Sequence, residues 1–410
     1  MAKTVADIRK QNSFAVFRAL HSAGDASRRE LADTTGLSFA TVGAICTTLI
    51  DQGLIVEVSR NRAPIGRPTT RLALNGDHGL LVGVDIAETY VHVVSFGSSL
   101  ERLTETRAAM DVHERQPRRV VETVQHAVLA EIGQHAGVPL LGIGVSAPGI
   151  VDSVGGTSAF APNWNWRNVP LLDLLAHVLP GPLFLDNPLK ALAIAEMWSN
   201  QERLQQAFAI LNLGTGVGAG IALGGEVFRG RTNSAGEWGH TVIVAGGRAC
   251  RCGSRGCVEA YVGAPGILQT LHETHPASEL LRGDDQTATI TALGEAARAG
   301  DPVALDVLAT TGHYLGIGVA TIVNLFNPDS VILAGWVAGQ VGEPLIDALR
   351  PHLTAHALSV PLLATSLELS HAEENSVSLG MAALALERYL DSIAESVSDP
   401  VLENTQRKLG

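Results

Sequence analysis

The residue pattern that most restricts the fold of this chain is a cluster of three cysteines and one histidine near its middle. The 410 residues include four cysteines, of which Cys250, Cys252 and Cys257 fall within eight positions. His240 precedes them and gives the spacing H-x9-C-x-C-x4-C. Three thiolates and one imidazole satisfy tetrahedral Zn²⁺, whereas buried free cysteines are the alternative. We predict one structural zinc per chain, with all four positions filled by these side chains.

The distribution of charge divides the chain into a basic head and an acidic body. The net charge is −12, yet residues 1–75 hold ten Lys and Arg against six Asp and Glu, which leaves −16 for the remainder. The negative net charge excludes a protein that coats nucleic acid non-specifically. A basic head on an acidic body is typical of a chain in which only the head binds the phosphates of nucleic acid. The length and an apolar content of 46% predict two or three folded units.

Residues 1–75 are expected to form a winged helix-turn-helix domain. Phe14 and Phe17 share a face of a first helix, Ser27 opens a capping box for a second, and Ser38 caps a third. Two short strands follow, near Ile55–Val58 and Arg71–Leu74. A small helical dimerisation or docking module is the alternative. The Arg-, Pro- and Gly-rich segment between the two strands favours DNA binding, because such an arm has no use in a core.

The third helix of the head, Phe39 to Gln52, contains no Lys or Arg, so direct base readout is expected to be modest. Much of the affinity should come from the wing. The candidate DNA contacts are Ser38, Thr41, Thr47 and Thr48 in the helix, and Arg60, Arg62 and Arg67 in the wing. The expected partner is operator DNA, and winged-helix heads usually read it as dimers. We therefore expect a homodimer or homotetramer.

From residue 80 the pattern changes to alternating strands and helices, which predicts an α/β body over residues 80–393. Two successive sets predict a first lobe over about 80–200 and a second over about 205–375, with a cleft between them. The glycine-rich segment Gly214 to Gly220 is expected to be a loop that approaches a phosphate or a sugar; a tight turn between two strands is the alternative.

Polar residues near the cysteine cluster suggest a binding site for hydroxyl-rich ligands. Glu237 lies three residues before His240, and Glu259 lies two after Cys257. Asn163 directly precedes Trp164-Asn165-Trp166, where the two tryptophan rings serve either as core or as a stacking face for a sugar. Solvated surface carboxylates are the alternative for the two glutamates.

These motifs resemble the ROK family of repressors and sugar kinases over nearly the whole chain. The matching segments are Gly236-Glu237-Trp238-Gly239-His240, Cys250 to Glu259, Leu213 to Gly220, Pro162-Asn163 with Trp166, and Gly66-Arg67-Pro68 in the head. The resemblance implies a two-lobed, actin-like (ribonuclease H-like) sugar kinase fold with a zinc knuckle and a C-terminal helix that returns to the first lobe. It also implies sugar contacts by Asn163, Asn187, Glu237, His240 and Glu259.

Three departures from the family's kinases predict that this chain is not an enzyme. The phosphate loop Asp-x-Gly-Gly-Thr is replaced here by Asp85-Ile86-Ala87-Glu88-Thr89, and the position of the catalytic base is occupied by Pro188. The Gly-Gly of the adenosine site becomes Gly335-Trp336. Loss of a base alone costs about 10²–10⁴-fold in rate.

The prediction is therefore a transcriptional regulator, most simply a repressor, whose body binds a sugar or sugar phosphate effector. A zinc-containing sugar kinase with an appended head is the alternative, and a body that serves only as a protein-docking surface is a third. The first residues lack a secretory h-region, and we find no apolar run long enough to span a bilayer. The cytoplasm is the expected compartment.

Overall fold

A computed structural model describes residues 5–58, 70–111, 114–204, 206–283, 285–370 and 376–396. The predicted wing residues Arg60, Arg62 and Arg67 lie outside these ranges. The winged-helix plan, the two-lobed body and the cysteine-histidine cluster are all present in the described residues, so the predicted fold class is confirmed.

The head consists of three helices and a small three-stranded sheet. The second helix begins at a complete capping box, in which Ser27 and Glu30 each satisfy the other's backbone N–H, and it ends at left-handed Gly36. The Ser38 hydroxyl accepts from the backbone of Thr41 and starts the third helix. The elements are α1 (Val5–Ala23), β1 (Asp25–Ala26), α2 (Arg28–Thr35), α3 (Phe39–Asp51), β2 (Ile55–Val58) and β3 (Arg71–Leu74), with strand order β1-β3-β2.

The first lobe is built on a five-stranded mixed sheet. Three antiparallel strands form one side, and two further strands run parallel to the first of them. The elements are β4 (Leu80–Ile86), β5 (Tyr90–Gly97), β6 (Arg102–Ala109), α4 (Pro117–Gly133), β7 (Leu140–Ser146), β8 (Ile150–Asp152), β9 (Thr157–Ala161), β10 (Trp166–Val169), α5 (Leu171–Ala176), β11 (Leu183–Asp186) and α6 (Pro188–Ser199). The main order is β11-β7-β4-β5-β6, and β8, β9 and β10 form a separate small sheet.

The second lobe repeats this strand order with a different set of helices. Its sheet is β14-β13-β12-β15-β16, again three antiparallel strands followed by two parallel ones. The elements are β12 (Phe208–Leu213), β13 (Val217–Leu223), β14 (Glu226–Val227), α7 (Glu259–Val262), α8 (Ala264–Thr274), α9 (Gln286–Arg298), α10 (Pro302–Phe326), β15 (Ser330–Ala334), α11 (Gly335–His356), α12 (Ser359–Ala364) and β16 (Ser366–Leu369). A further helix, α13 (Ser376–Ser396), follows this lobe in the chain.

The glycine-rich segment corrects one prediction. Only Gly214 to Gly216 form a turn, because β13 begins at Val217 and pairs with β12 through Gly220. The segment is therefore a tight hairpin turn followed by a strand, rather than a loop over its whole length. The glycines within β13 permit close packing: a Cβ on Gly220 would collide with the backbone of α6.

The last helix, α13, returns to the first lobe, as the resemblance implied. It packs across β4 and β7, where Gly83 and Gly144 face its backbone. A Cβ at either glycine would overlap a carbonyl group of α13, so this close approach requires glycine at both positions. The core of the first lobe therefore includes residues from the end of the chain.

The head packs against the body through α1, α6 and α13. Phe17 of α1 meets the ring of Trp198 edge-on, with the centroids 6.2 Å apart. Arg18 lies over the same ring and forms an ion pair with Glu387 of α13. Buried side chains of the head, α6 and α13 consequently form one continuous hydrophobic cluster.

One helix is apolar over the length of a bilayer, which differs from the sequence prediction. Among the described helices, α10 is long and apolar enough to cross a membrane by length and composition. Its buried residues, such as Leu315 and Val319, belong to the core of the second lobe. The sequence prediction of no such run is therefore wrong for α10, whose buried face accounts for its hydropathy.

Candidate metal centre and ligand cleft

The four predicted metal ligands all belong to the segment of chain between β14 and α7, and their side chains come together in space. The ligand atoms of His240, Cys250, Cys252 and Cys257 all lie within 4.8 Å of one another. The Sγ atoms of Cys252 and Cys257 are 3.8 Å apart, and His240 Nδ1 is 3.6 Å from Cys250 Sγ. The Nδ1 atom of His240 therefore faces the thiols. This arrangement can hold one metal ion.

Two glycines allow the chain to fold around this cluster. Gly253 and Gly256 have φ angles of 96° and 80°, and a Cβ on Gly256 would collide with the carbonyl oxygen of Val244. Burial raises the pKa of the Cys250 and Cys257 thiols. Deprotonation of such buried thiols is unfavourable unless a cation is bound, and metal binding would supply that charge.

Two carboxylates flank the cluster, as predicted. Glu259 is buried, with one oxygen 3.6 Å from Cys250 Sγ and the other accepting from the backbone N–H of Val217 at 3.0 Å. Glu237 Oε2 lies 4.0 Å from His240 Nε2, on the side of the ring away from the thiols. Burial raises the pKa of Glu237. Both carboxylates therefore contact the cluster, and Glu259 also links it to the start of β13 through the Val217 N–H.

The first lobe brings Asn163 to the same place. A Cβ on Gly216 would lie 3.5 Å from Glu259 Oε2 and 3.7 Å from Asn163 Nδ2, so the two side chains approach each other across this glycine. Asn163 Oδ1 is buried and has no hydrogen-bond partner among the described residues. Trp164 and Trp166 are buried in the core of the first lobe and do not form a stacking face.

Asn187 lies at the start of α6, where it acts as a helix cap. Its Oδ1 accepts from the backbone N–H of Lys190 at 3.0 Å, so its Nδ2 is the remaining group for a ligand. Lys190 is 1% exposed, and its ammonium donates to the carbonyl of Ala235 at 3.3 Å. Burial lowers the pKa of Lys190, and the neighbouring carboxylates Asp186 and Glu237 oppose this effect.

A buried polar contact joins the two lobes beside this helix. Asp186, at the end of β11, pairs with Arg229 of the second lobe and accepts from Asn233 Nδ2 at 3.0 Å. Asn233 Nδ2 also donates to the carbonyl of Val151 at 2.9 Å. The carboxylate of Asp186 is therefore occupied by Arg229 and Asn233.

Glu88 lies in the turn between β4 and β5 and reaches Asn163. Its Oε1 accepts from Asn163 Nδ2 at 3.2 Å, and its Oε2 is 3.8 Å from the guanidinium of Arg115. Arg115 also donates to the Asn163 carbonyl and lies over the ring of Trp164. Glu88 is thus held next to a predicted sugar contact.

The described DNA-contact candidates lie on α3 and at its cap. Ser38 and Thr47 are exposed, and Thr41 and Thr48 are half-buried. The hydroxyl groups of Thr47 and Thr48 donate to carbonyls one turn earlier, at 2.9 and 3.2 Å. Because each hydroxyl hydrogen is used within the helix, the two hydroxyl oxygens can only accept further hydrogen bonds. Phe39 is 60% exposed on the same helix.

The sequence did not predict the cleft roles of Lys190, Arg115 and Arg229. Lys190 carried a usable signal, since it is the one charged residue in the apolar run from Leu189 to Ala195. Arg115 and Arg229 carried none, because their partners are distant in sequence.

The sequence profile of the ROK family matches residues 81–388. The xylose repressor of Caldicellulosiruptor bescii is 29% identical over 367 residues, which cover 88% of this chain and 91% of that repressor. A crystal structure of a ROK family transcriptional regulator, a homologue of the E. coli MLC protein, superposes with a TM-score of 0.80 at 26% identity and covers 95% of this chain and 98% of its own.

A kinase structure matches a smaller part of the chain. The ROK family glucokinase from Streptomyces griseus, in complex with glucose and AMPPNP, has a TM-score of 0.64 at 27% identity. It covers 75% of this chain but 99% of its own length, so this chain has a head that the glucokinase lacks. With a family profile that spans three quarters of its length and a regulator of the same family that matches head and body together, the chain belongs to the ROK family.

Proposed function

We propose that this chain is a DNA-binding transcriptional repressor that responds to a sugar effector. The observation that carries the proposal is the difference in coverage: named regulators match both the head and the body, whereas the glucokinase matches the body alone. The head is the DNA-binding part and the cleft of the body is the sensor. We further propose that it acts in the cytoplasm as a homodimer or homotetramer.

In the head, α3 enters the major groove and the segment 59–69 contacts the phosphates. Support for α3 comes from the exposed position of Thr47, and because this helix has no Lys or Arg its direct base readout is modest. Because the hydroxyls of Thr47 and Thr48 donate within the helix, they favour base edges that present amino groups, such as adenine N6 or cytosine N4. Arg60, Arg62 and Arg67 supply charge for backbone binding.

In the body, the sugar lies between Asn163 of the first lobe and Glu237, His240 and Glu259 of the second. The unpartnered Oδ1 of Asn163 supports this assignment, because a buried acceptor without a donor is costly. Asn187 contributes its Nδ2 group. The carboxylates accept from sugar hydroxyls, and the His240 ring presents Nε2 to the cleft.

The metal we propose is zinc. Bonds of about 2.3 Å to sulfur and about 2.0–2.1 Å to nitrogen in a tetrahedron place ligand atoms roughly 3.8 Å (S–S) and 3.6 Å (S–N) apart. The two distances between the side chains agree with these values. With three cysteines and His240 as ligands, the ion has no open position and its role is structural. It orients the ring of His240 and holds Glu259 in place.

The test begins with selection of DNA from a random pool by the purified full-length protein. A recovered palindrome then serves in anisotropy titrations with and without a panel of pentoses and hexoses. Thr47→Val keeps the shape of the side chain but removes the hydroxyl. We expect it to change the free energy of discrimination between bases at one position in each half-site by about 1–3 kcal/mol. Failure to enrich any sequence would refute the proposal.

The kinase alternative is tested by ADP release with the same sugars. The cleft favours the regulator, since Pro188 occupies the first turn of α6 where a base is needed, and the indole of Trp336 packs against the Gly214 turn. Turnover above the background of a Glu237→Gln protein would support the kinase instead.

A further inference from the structure

Glu88 and the charges around it bear on which class of sugar the cleft accepts, an inference that rests on the proposed function. Carboxylates from three separate segments line this part of the site: two approach Asn163, and the third contacts His240. Glu88 accepts from the Asn163 amide nitrogen, and Glu259 approaches the same nitrogen across Gly216. Glu237 belongs to the same wall through its contact with His240. The ligand side of the cleft is therefore rich in hydrogen-bond acceptors.

Three cations of the cleft already have partners of their own, and a fourth, Arg251, donates to the Thr215 carbonyl at the Gly214 turn. Arg115 is held by Glu88 and by the Asn163 carbonyl. Arg229 pairs with Asp186. Lys190 is buried between Asp186 and Glu237 and donates to a backbone carbonyl. None of these three side chains offers an unpaired charge to a phosphate group.

We propose that Glu88 makes the effector site selective for uncharged sugars and against sugar phosphates. A phosphate next to Asn163 would lie beside the carboxylates of Glu88 and Glu259, and Arg115, the cation that contacts Asn163 among the described residues, is already held by Glu88. Like charges in such proximity disfavour the complex. The hydroxyls of a neutral sugar instead donate to these oxygens, while Asn163 Oδ1 accepts one further hydrogen bond.

Glu88 therefore determines specificity, and it lies at the position where the family's kinases have a phosphate-binding loop. In a glycine-rich loop the bare backbone N–H groups face the phosphates. Here a carboxylate fills that position and is fixed by Asn163 and Arg115. Glu88 thus replaces a kinase feature and also allows the sensor to bind a sugar in preference to its phosphorylated form.

The experiment compares matched pairs: glucose with glucose 6-phosphate, and N-acetylglucosamine with its 6-phosphate, together with xylose. Thermal shift and calorimetry on the full-length wild-type protein should show the neutral member of a pair binding at least about tenfold more tightly. Glu88→Gln keeps the size and an acceptor for Asn163 but removes the charge, so the ratio should fall towards one. The control is Glu122→Gln, at an exposed ion pair on α4.

The outcomes separate this inference from the proposed function. Tighter binding of a phosphorylated member by the wild type, or an unchanged ratio in Glu88→Gln, would overturn the role of Glu88 and still leave a sugar sensor. If none of these sugars or sugar phosphates binds, the proposed sensing function fails and the inference falls with it. DNA binding without sugar shows that Glu88→Gln is folded.

Discussion

At the scale of single residues, the cysteine and histidine ligands were predictable because their chemistry is local in sequence. Four side chains that bind one ion must lie close together, and their spacing reveals this directly. The partners of Lys190, Arg115 and Asp186 could not be predicted in this way. Their contacts cross between elements more than 40 residues apart, and no spacing rule links an arginine to a distant backbone carbonyl.

The metal ligands give a prediction at this scale. Cys257→Ser should reduce the metal content from about one ion per chain to nearly none, because Cys257 is completely buried within the cluster and a hydroxyl is a poor substitute for a thiolate. It should also abolish sugar binding, since Glu259 lies two residues away. Plasma mass spectrometry of the freshly purified protein measures the metal.

The matched control is Cys46→Ala, which removes a buried cysteine of α3 far from the cluster. This protein should keep its metal. Full zinc occupancy in Cys257→Ser would show that the cluster does not use all four ligands.

At the scale of elements, α6 connects the cleft with the head. Its first residues include Pro188 and Lys190 at the cleft, and Trp198 near its last turn lies under α1. A helix of twelve residues spans about 18 Å as a rigid unit. A shift at the Asn187 cap therefore moves Trp198 against Phe17 and His21 of the head.

We expect Trp198→Leu to separate the two functions of the protein. Sugar affinity should stay within about twofold of wild type, because the substitution is at the far end of α6. The effect of sugar on operator affinity, typically about 5–150-fold for coupled sites, should fall towards one. Anisotropy titrations with and without sugar measure both quantities.

Met197→Leu is the control, since it is a buried neighbour on the same helix and conserves volume. It should retain the sugar response. A full response in Trp198→Leu, together with faster hydrogen exchange in α1, would exclude α6 as the connection.

The three helices of the head could be predicted from caps and hydrophobic periodicity, and β2 and β3 begin and end at the predicted residues. The two-residue strand β1 carries too little pattern to be recognised. The strand β13 was missed because its alternating glycines imitate a loop, although they serve the close packing against α6.

At the scale of the whole molecule, two half-buried histidines, His21 and His78, lie where the head meets the body. Burial lowers the pKa of His21, although a hydrogen bond to the Ser99 backbone opposes this, and burial also lowers the pKa of His78. His78 Nε2 lies 3.0 Å from the Tyr389 hydroxyl of α13. The docked state therefore favours the neutral rings.

The sign of the pH dependence follows from the lowered pKa values. Docking should be complete above the ordinary histidine pKa of about 6.5 and should weaken as the pH falls below it, because protonation favours the undocked head. Hydrogen exchange in α1, corrected for the intrinsic rate, should increase more between pH 7.5 and 5.5 than exchange in α10. His21→Gln should reduce this difference, whereas His126→Gln, at an exposed position of α4, should not. Equal pH dependence in both variants would contradict the assignment.

The return of α13 to the first lobe affects how the protein is made. The β4 and β7 strands leave the ribosome long before residues 376–396, which complete their core and form part of the platform for the head. Domains usually fold during synthesis from the N-terminus onwards. Here one face of the first-lobe sheet stays uncovered until residues 376–396 have been made. We therefore expect chaperones to bind the unfinished chain, and a chain truncated before α13 to lose both the completed lobe and the docked head.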